Sequence, residues 1–207
     1  MGSEWGRIPH EQNLNPHSLR HNGMAASDPN LSSDQPTDGQ PAVLSAPALR
    51  ERLEEEINRA GRHGIALSCL LVTIGNLDEL SREHGSELPE QALAYVGAAL
   101  QRQLRRFDRI GRPTDRELFV VLPGADGPRG EIVARRVLDR LRTIKVEVDG
   151  TRRALLISVG LAAWRADLSG EDLLAQTRAA ARRGLAPDGS SGIEAASPPA
   201  LGRPGPS

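Results

Sequence analysis

The feature that most constrains the fold is Leu118-Phe119-Val120-Val121-Leu122, an unbroken apolar run stopped by Pro123-Gly124. A run this short reads as a strand, and without polar alternation it must be covered on both faces. A second run, Ile65 to Ile74, ends at Gly75, and its Leu, Ile and Val content suits a central strand. Strands buried on both faces need helices above and below them. The apolar spacing supplies those helices. One opens at Pro47, carries the stripe Leu49, Leu53, Ile57, Ala60 and ends at Gly64. One runs from Glu90 to Leu104 on Leu93, Val96, Leu100 and Leu104, with the cations Arg102, Arg105 and Arg106 at its far end. A third spans about Gly130 to Arg142 on Val133, Val137 and Leu141, after a loop ADGPRG. Ser169 caps a last helix with Leu173, Leu174, Thr177 and Ala181 on its inner side. Ile144 to Val148 and Arg153 to Ala162 read as two further strands joined across Asp149-Gly150, a hairpin signal.

Every apolar stripe lies between residues 47 and 185, which are therefore expected to form one α/β domain. Residues 1–46 and 186–207 are poor in apolar residues and rich in Gly, Pro, Ser and Asn, so both are expected to be disordered tails. A net charge of -1 gives no bulk attraction to nucleic acid or to an anionic membrane. No apolar run approaches the ~18 residues a membrane helix needs, and no leader pattern follows Met1. The expectation is a cytoplasmic protein without membrane insertion. Its lone Cys69 lies within an apolar run and reads as a small buried hydrophobe.

The stretch from Arg105 to Pro123 resembles the signature region of GGDEF domains, the diguanylate cyclase family that makes cyclic di-GMP from two GTP. In that family an Arg-x-x-Asp precedes the signature turn at a fixed interval, an Arg and one residue lead into Gly-Gly-Asp/Glu-Glu-Phe, and an apolar strand ends in Leu-Pro. Here Arg105-x-x-Asp108 leads to Arg112, Pro113, the pentapeptide Thr114-Asp115-Arg116-Glu117-Leu118 and then Leu122-Pro123, without a gap. The signature itself reads TDREL, so the resemblance is to a degenerate member. It implies a nucleotide-cyclase-like α/β fold, with a central, mostly antiparallel five-stranded sheet flanked by helices. Ser158 and Gly160 resemble the family's Ser-x-Gly strand.

Joining two nucleotides requires attack of a 3′-hydroxyl on an α-phosphate, helped by metal ions held on carboxylates. The family takes one metal-binding Asp from the first strand and one acidic residue from the turn. Thr73 and Arg116 stand at those positions, which inverts the charge of the metal site. Asp78, Ser81 and Arg82 stand where the family's GTP-binding Lys, Asn and Asp lie, and Leu185 replaces a Lys of the final helix region. Thr114 and Asp115 add side chains where two glycines allow close approach of the nucleotide. The resemblance thus implies a chain with no catalytic residues, no metal and no cofactor, although Glu117 survives.

In many family members Arg-x-x-Asp is an inhibitory site that binds the product as an intercalated dimer of cyclic di-GMP. The resemblance assigns Arg105 and Asp108 to it, with Arg136 at the register of a further Arg. Arg offers a planar fork for phosphate or a guanine edge, and Asp accepts N–H bonds from guanine. Two readings stand. In one, the chain is a signalling receptor for cyclic di-GMP. In the other, Arg105 and Asp108 are a surface ion pair of little consequence, and the chain is a scaffold that engages a protein partner through the first helix or the tails.

Overall fold

The structure, a computed structural model, describes residues 42–85, 87–148, 150–185 and 191–196. The expected N-terminal tail up to residue 41, and most of the C-terminal one, lie outside the described residues.

Strands β1 (Val43–Leu44), β2 (Leu67–Ile74), β3 (Arg109–Thr114), β4 (Glu117–Pro123), β7 (Ile157–Ala163) and β8 (Gly192–Ala195) form a sheet in the order β1-β3-β4-β2-β7-β8. A separate hairpin joins β5 (Lys145–Val148) to β6 (Thr151–Ala154). The four inner strands are antiparallel, and both edges are parallel additions, β1 on β3 and β8 on β7. The sheet therefore has six strands where the sequence reading gives five. Both edge strands fall in segments read as tails, because strands of two and four residues carry too few apolar positions to register as a pattern. The run Arg153–Ala162 also divides: β6 leaves the sheet with β5, and β7 starts only at Ile157.

Among the described residues the helices are α1 (Ala46–His63), α2 (Leu77–His84), α3 (Glu87–Gln101), α4 (Gly127–Leu141) and α5 (Gly170–Gly184). The central strands are buried on both sides, which is why they lack alternation. Leu70, Val72, Leu118, Val120 and Leu122 face the core beneath α2, α3 and α4. Cys69, Leu71, Phe119 and Val121 face the core beneath α1 and α5. Cys69 is fully buried, and burial pushes its thiol pKa up. The apolar stripe of α1 (Leu49, Leu53, Ala60) is consumed by its own sheet. Glu56 is buried on this helix, while Ile57 is half-buried against the same core.

Two helix boundaries differ in ways that bear on the site. Helix α3 ends at Gln101, so Arg105 lies in a turn beyond the helix. Helix α4 starts three residues earlier than its apolar spacing indicates. Asp126 caps it, accepting the Arg129 backbone N–H at 2.9 Å, and Pro128 occupies its first turn. The expected Ser169 cap of α5 is present as a reciprocal capping box with Asp172.

Candidate functional site

The Arg-x-x-Asp segment folds as a closed turn between α3 and β3. The Arg105 backbone N–H donates to Asp108 Oδ2 at 2.7 Å, and the Asp108 N–H donates to the Arg105 carbonyl at 3.0 Å. Arg109 braces the turn from outside, donating to the carbonyls of Arg106 and Asp108 at 3.0 and 3.1 Å. Asp108 is only 6% exposed. Burial raises its carboxyl pKa, and the Arg105 N–H and the charges of Arg105, Arg136 and Arg109 offset part of that rise. Arg105 and Asp108 are therefore not a side-chain ion pair on the surface. They are a buried carboxylate held by the backbone, next to an exposed guanidinium.

This turn opens onto a cavity of about 250 Å³ walled by Arg105, Asp108, Pro123, Arg129, Val133 and Arg136. Arg136, which lines the cavity, donates to the Gln103 carbonyl at 2.7 Å. Among the described residues, no acceptor engages the guanidinium of Arg105 or of Arg129. All three residues expected from the sequence thus share one cavity. Arg129 joins them unforeseen. It lies one residue after Pro128 and seven before Arg136, so both arginines occupy one face of α4. The Asp-Gly-Pro start of that helix was the signal that would have found it.

The Thr114–Leu118 turn lies at the opposite end of the sheet's inner strands. Thr73 pairs across the sheet with Glu117 on one side and Ser158 on the other. Arg178 of α5 grips both Glu117 oxygens, Nε to Oε1 and Nη2 to Oε2, each at 2.7 Å. This bidentate bond holds the Arg178 pKa above its usual value. Arg116 pairs with Asp78, whose carboxyl it holds below the usual range mainly by that hydrogen bond. Arg112 forks onto Glu90 at 2.8 and 3.2 Å. Leu185 packs on Gly75, where a Cβ would meet its Cδ2 at 2.7 Å. A magnesium ion wants several oxygen ligands in octahedral array. A hydroxyl, a guanidinium and a carboxylate already engaged at both oxygens do not fit one. Arg178 was not foreseen as the partner of Glu117; 61 residues separate them, and no local pattern links them.

The fold and the two ends of its sheet place the chain among nucleotide-cyclase-like α/β domains. The model of the diguanylate cyclase GGDEF domain matches residues 40–185, and the chain belongs to that family. It is 25% identical over 135 residues to the diguanylate cyclase DgcP of Pseudomonas aeruginosa, covering 65% of this chain and 20% of that protein. It is 26% identical over 124 residues to the uncharacterized membrane protein YdaK of Bacillus subtilis, covering 60% of this chain and 44% of that one. The chain thus spans less than half the length of either relative. Among solved structures, the GGDEF domain of DgcB from Caulobacter crescentus, in complex with c-di-GMP, superposes with a TM-score of 0.67 at 17% identity, over 86% of this chain and 99% of that one. The diguanylate cyclase SiaD of P. aeruginosa, in complex with its activator SiaC, gives a TM-score of 0.64 at 25% identity, over 68% and 54%. Among the described residues no helix is long and apolar enough to cross a membrane.

Proposed function

We propose that this protein is a catalytically inactive GGDEF domain that acts as a receptor for cyclic di-GMP. The observation that carries the reading is the cavity at the Arg-x-x-Asp turn. It gathers a buried carboxylate, Asp108, with the forks of Arg105, Arg129 and Arg136. A phosphodiester with two guanines asks for these groups: cations for its phosphates, and a carboxylate for guanine N–H donors. At the other end of the sheet the acidic and basic groups are spent on one another, Glu117 on Arg178 and Asp78 on Arg116. That supports loss of the metal-dependent step together with retention of product binding.

Calorimetric titration with cyclic di-GMP tests the reading. Removing a charged hydrogen bond costs about 1.5–3 kcal/mol, or at least roughly tenfold in affinity. Arg105→Ala and Asp108→Ala should each weaken binding that much, and Arg136→Ala should do so in the same direction. Arg116→Ala should leave affinity unchanged. No heat from the parent protein would instead favour a scaffold that engages a protein partner.

A further inference from the structure

Among the described residues the exposed large apolar side chains are Ile65, Phe107 and Ile132. Scattered singly, such side chains need no explanation. Here they gather. Ile132 lines the cavity at the Arg105–Asp108 turn, while Ile65 and Phe107 line a neighbouring cavity against α1. The two cavities share Pro123 and Gly124, so all three side chains ring one end of the sheet, where β2 and β3 begin and β4 ends. Phe107 is 72% exposed and Ile132 66%. Neither exposure serves the packing of the domain.

The charge that this end shows to solvent is mostly of one sign. Arg105, Arg129 and Arg136 line the first cavity, and Arg59 and Arg109 the second. The carboxylates on the same walls, Asp108 and Glu56, are buried. Of the exposed carboxylates nearby, Glu131 pairs with Arg135, Glu55 pairs with Arg52, and Asp126 caps α4. A net charge of -1 over the whole chain conceals this local excess of cations. Exposed apolar groups set among guanidiniums match an anionic lipid surface. Its phosphates take the cations, and the apolar side chains enter the boundary between headgroups and acyl chains. Single-stranded nucleic acid fits less well, because bases stack on aromatic rings, and Ile65 and Ile132 are aliphatic. We propose that this end of the domain docks on an anionic membrane surface, with Phe107 and Ile132 entering the interface and Arg59, Arg109 and Arg129 against lipid phosphates. Docking of this kind needs no spanning helix. It does not rest on the binding of cyclic di-GMP, and its test omits that ligand.

The test is co-sedimentation of the full chain with vesicles of equal parts phosphatidylglycerol and phosphatidylcholine, and with vesicles of phosphatidylcholine alone. The anionic vesicles should bind at least roughly tenfold more tightly, and added salt should weaken that binding. Phe107→Ala combined with Ile132→Ala should weaken it roughly tenfold, because apolar area is withdrawn from the interface. Arg59→Gln and Arg129→Gln should each weaken it about fivefold. Arg182→Gln should leave it unchanged: Arg182 is exposed near the end of α5, which packs on Ser158 at the opposite end of the sheet. All of these side chains face solvent, so the variants should fold, and urea denaturation checks that they do. No sedimentation with anionic vesicles, equal binding to neutral ones, or indifference to the Phe107→Ala, Ile132→Ala pair would overturn the proposal. So would tighter binding to single-stranded oligothymidylate than to the anionic vesicles, which would assign the surface to nucleic acid instead.

Discussion

Asp108 has two separable duties. Its Oδ2 closes the turn by accepting the Arg105 N–H, and its carboxylate charge faces three arginines across the cavity. Asn supplies an oxygen for the first duty but no charge for the second. Asp108→Asn should therefore keep the fold and lose at least roughly tenfold in affinity for cyclic di-GMP, as read by urea denaturation and calorimetry on the same sample. Burial raises the Asp108 pKa, so the folded chain binds this proton more tightly than the unfolded chain. Its contribution to stability is accordingly greatest in acid and falls as pH rises from the ordinary Asp value of about 3.9 through the raised one. Ligand affinity runs the other way, since it needs the carboxylate, and should fall on acidification with a midpoint above that ordinary value. Denaturation and binding measured across the same pH series, each taken as the difference between the parent and Asp108→Asn, should show the two opposed trends. At the opposite end of the sheet, Thr73→Asp with Arg116→Glu should yield no cyclic di-GMP from GTP and magnesium. Arg178 still holds Glu117, and Leu185 still covers Gly75. Product above a protein-free blank would contradict this.

Helix α5 shows why one element can be read easily and its neighbours less so. Its start is written locally, in Ser169 and Asp172. Its position over the sheet is not, because that depends on Gly160 of β7: a Cβ there would lie on the Thr177 carbonyl and the Ala181 nitrogen. Gly160→Ala must push α5 off β7, and overpacking of this kind costs about 1–3 kcal/mol. Since backbone atoms rather than a flexible side chain are in the way, the upper end is expected in urea denaturation. Displacing α5 also carries Arg178 away from Glu117. The central strands, the stripes of α1 and α3, and the α5 cap were legible because each is set by neighbours in sequence. The apolar spacing runs past the end of α3 because Leu104 extends it after the backbone has turned, and it falls short of the start of α4 because Asp126-Gly127-Pro128 carries turn residues rather than an apolar stripe. Glu56 escaped for a related reason: a carboxylate on the inner side of α1 does not look apolar, though it is buried.

At the scale of the whole molecule, the sheet is finished by segments that composition alone assigns to tails. β8 pairs along β7 from Ser158 to Leu161. Ser191 Oγ accepts the Ile157 N–H at 2.9 Å. Limited proteolysis should therefore leave a core that keeps residues 191–196, and truncation after Leu185 should lower its stability by exposing an edge of β7. A trimmed product ending near residue 185 with unchanged stability would contradict this. The same sheet separates two ends with opposite character. At one, Arg105, Asp108, Arg129 and Arg136 face an open cavity; at the other, Glu117, Arg178, Asp78 and Arg116 are closed on one another. The most direct measurement is the backbone amide spectrum of the isotope-labelled protein during titration with cyclic di-GMP. Saturable shifts should appear at residues 105–108 and along the first turns of α4, with none at Thr73, Asp78 or the Thr114–Glu117 turn. Shifts centred on that turn, or none anywhere, would contradict the assignment of product binding to the Arg105–Asp108 cavity.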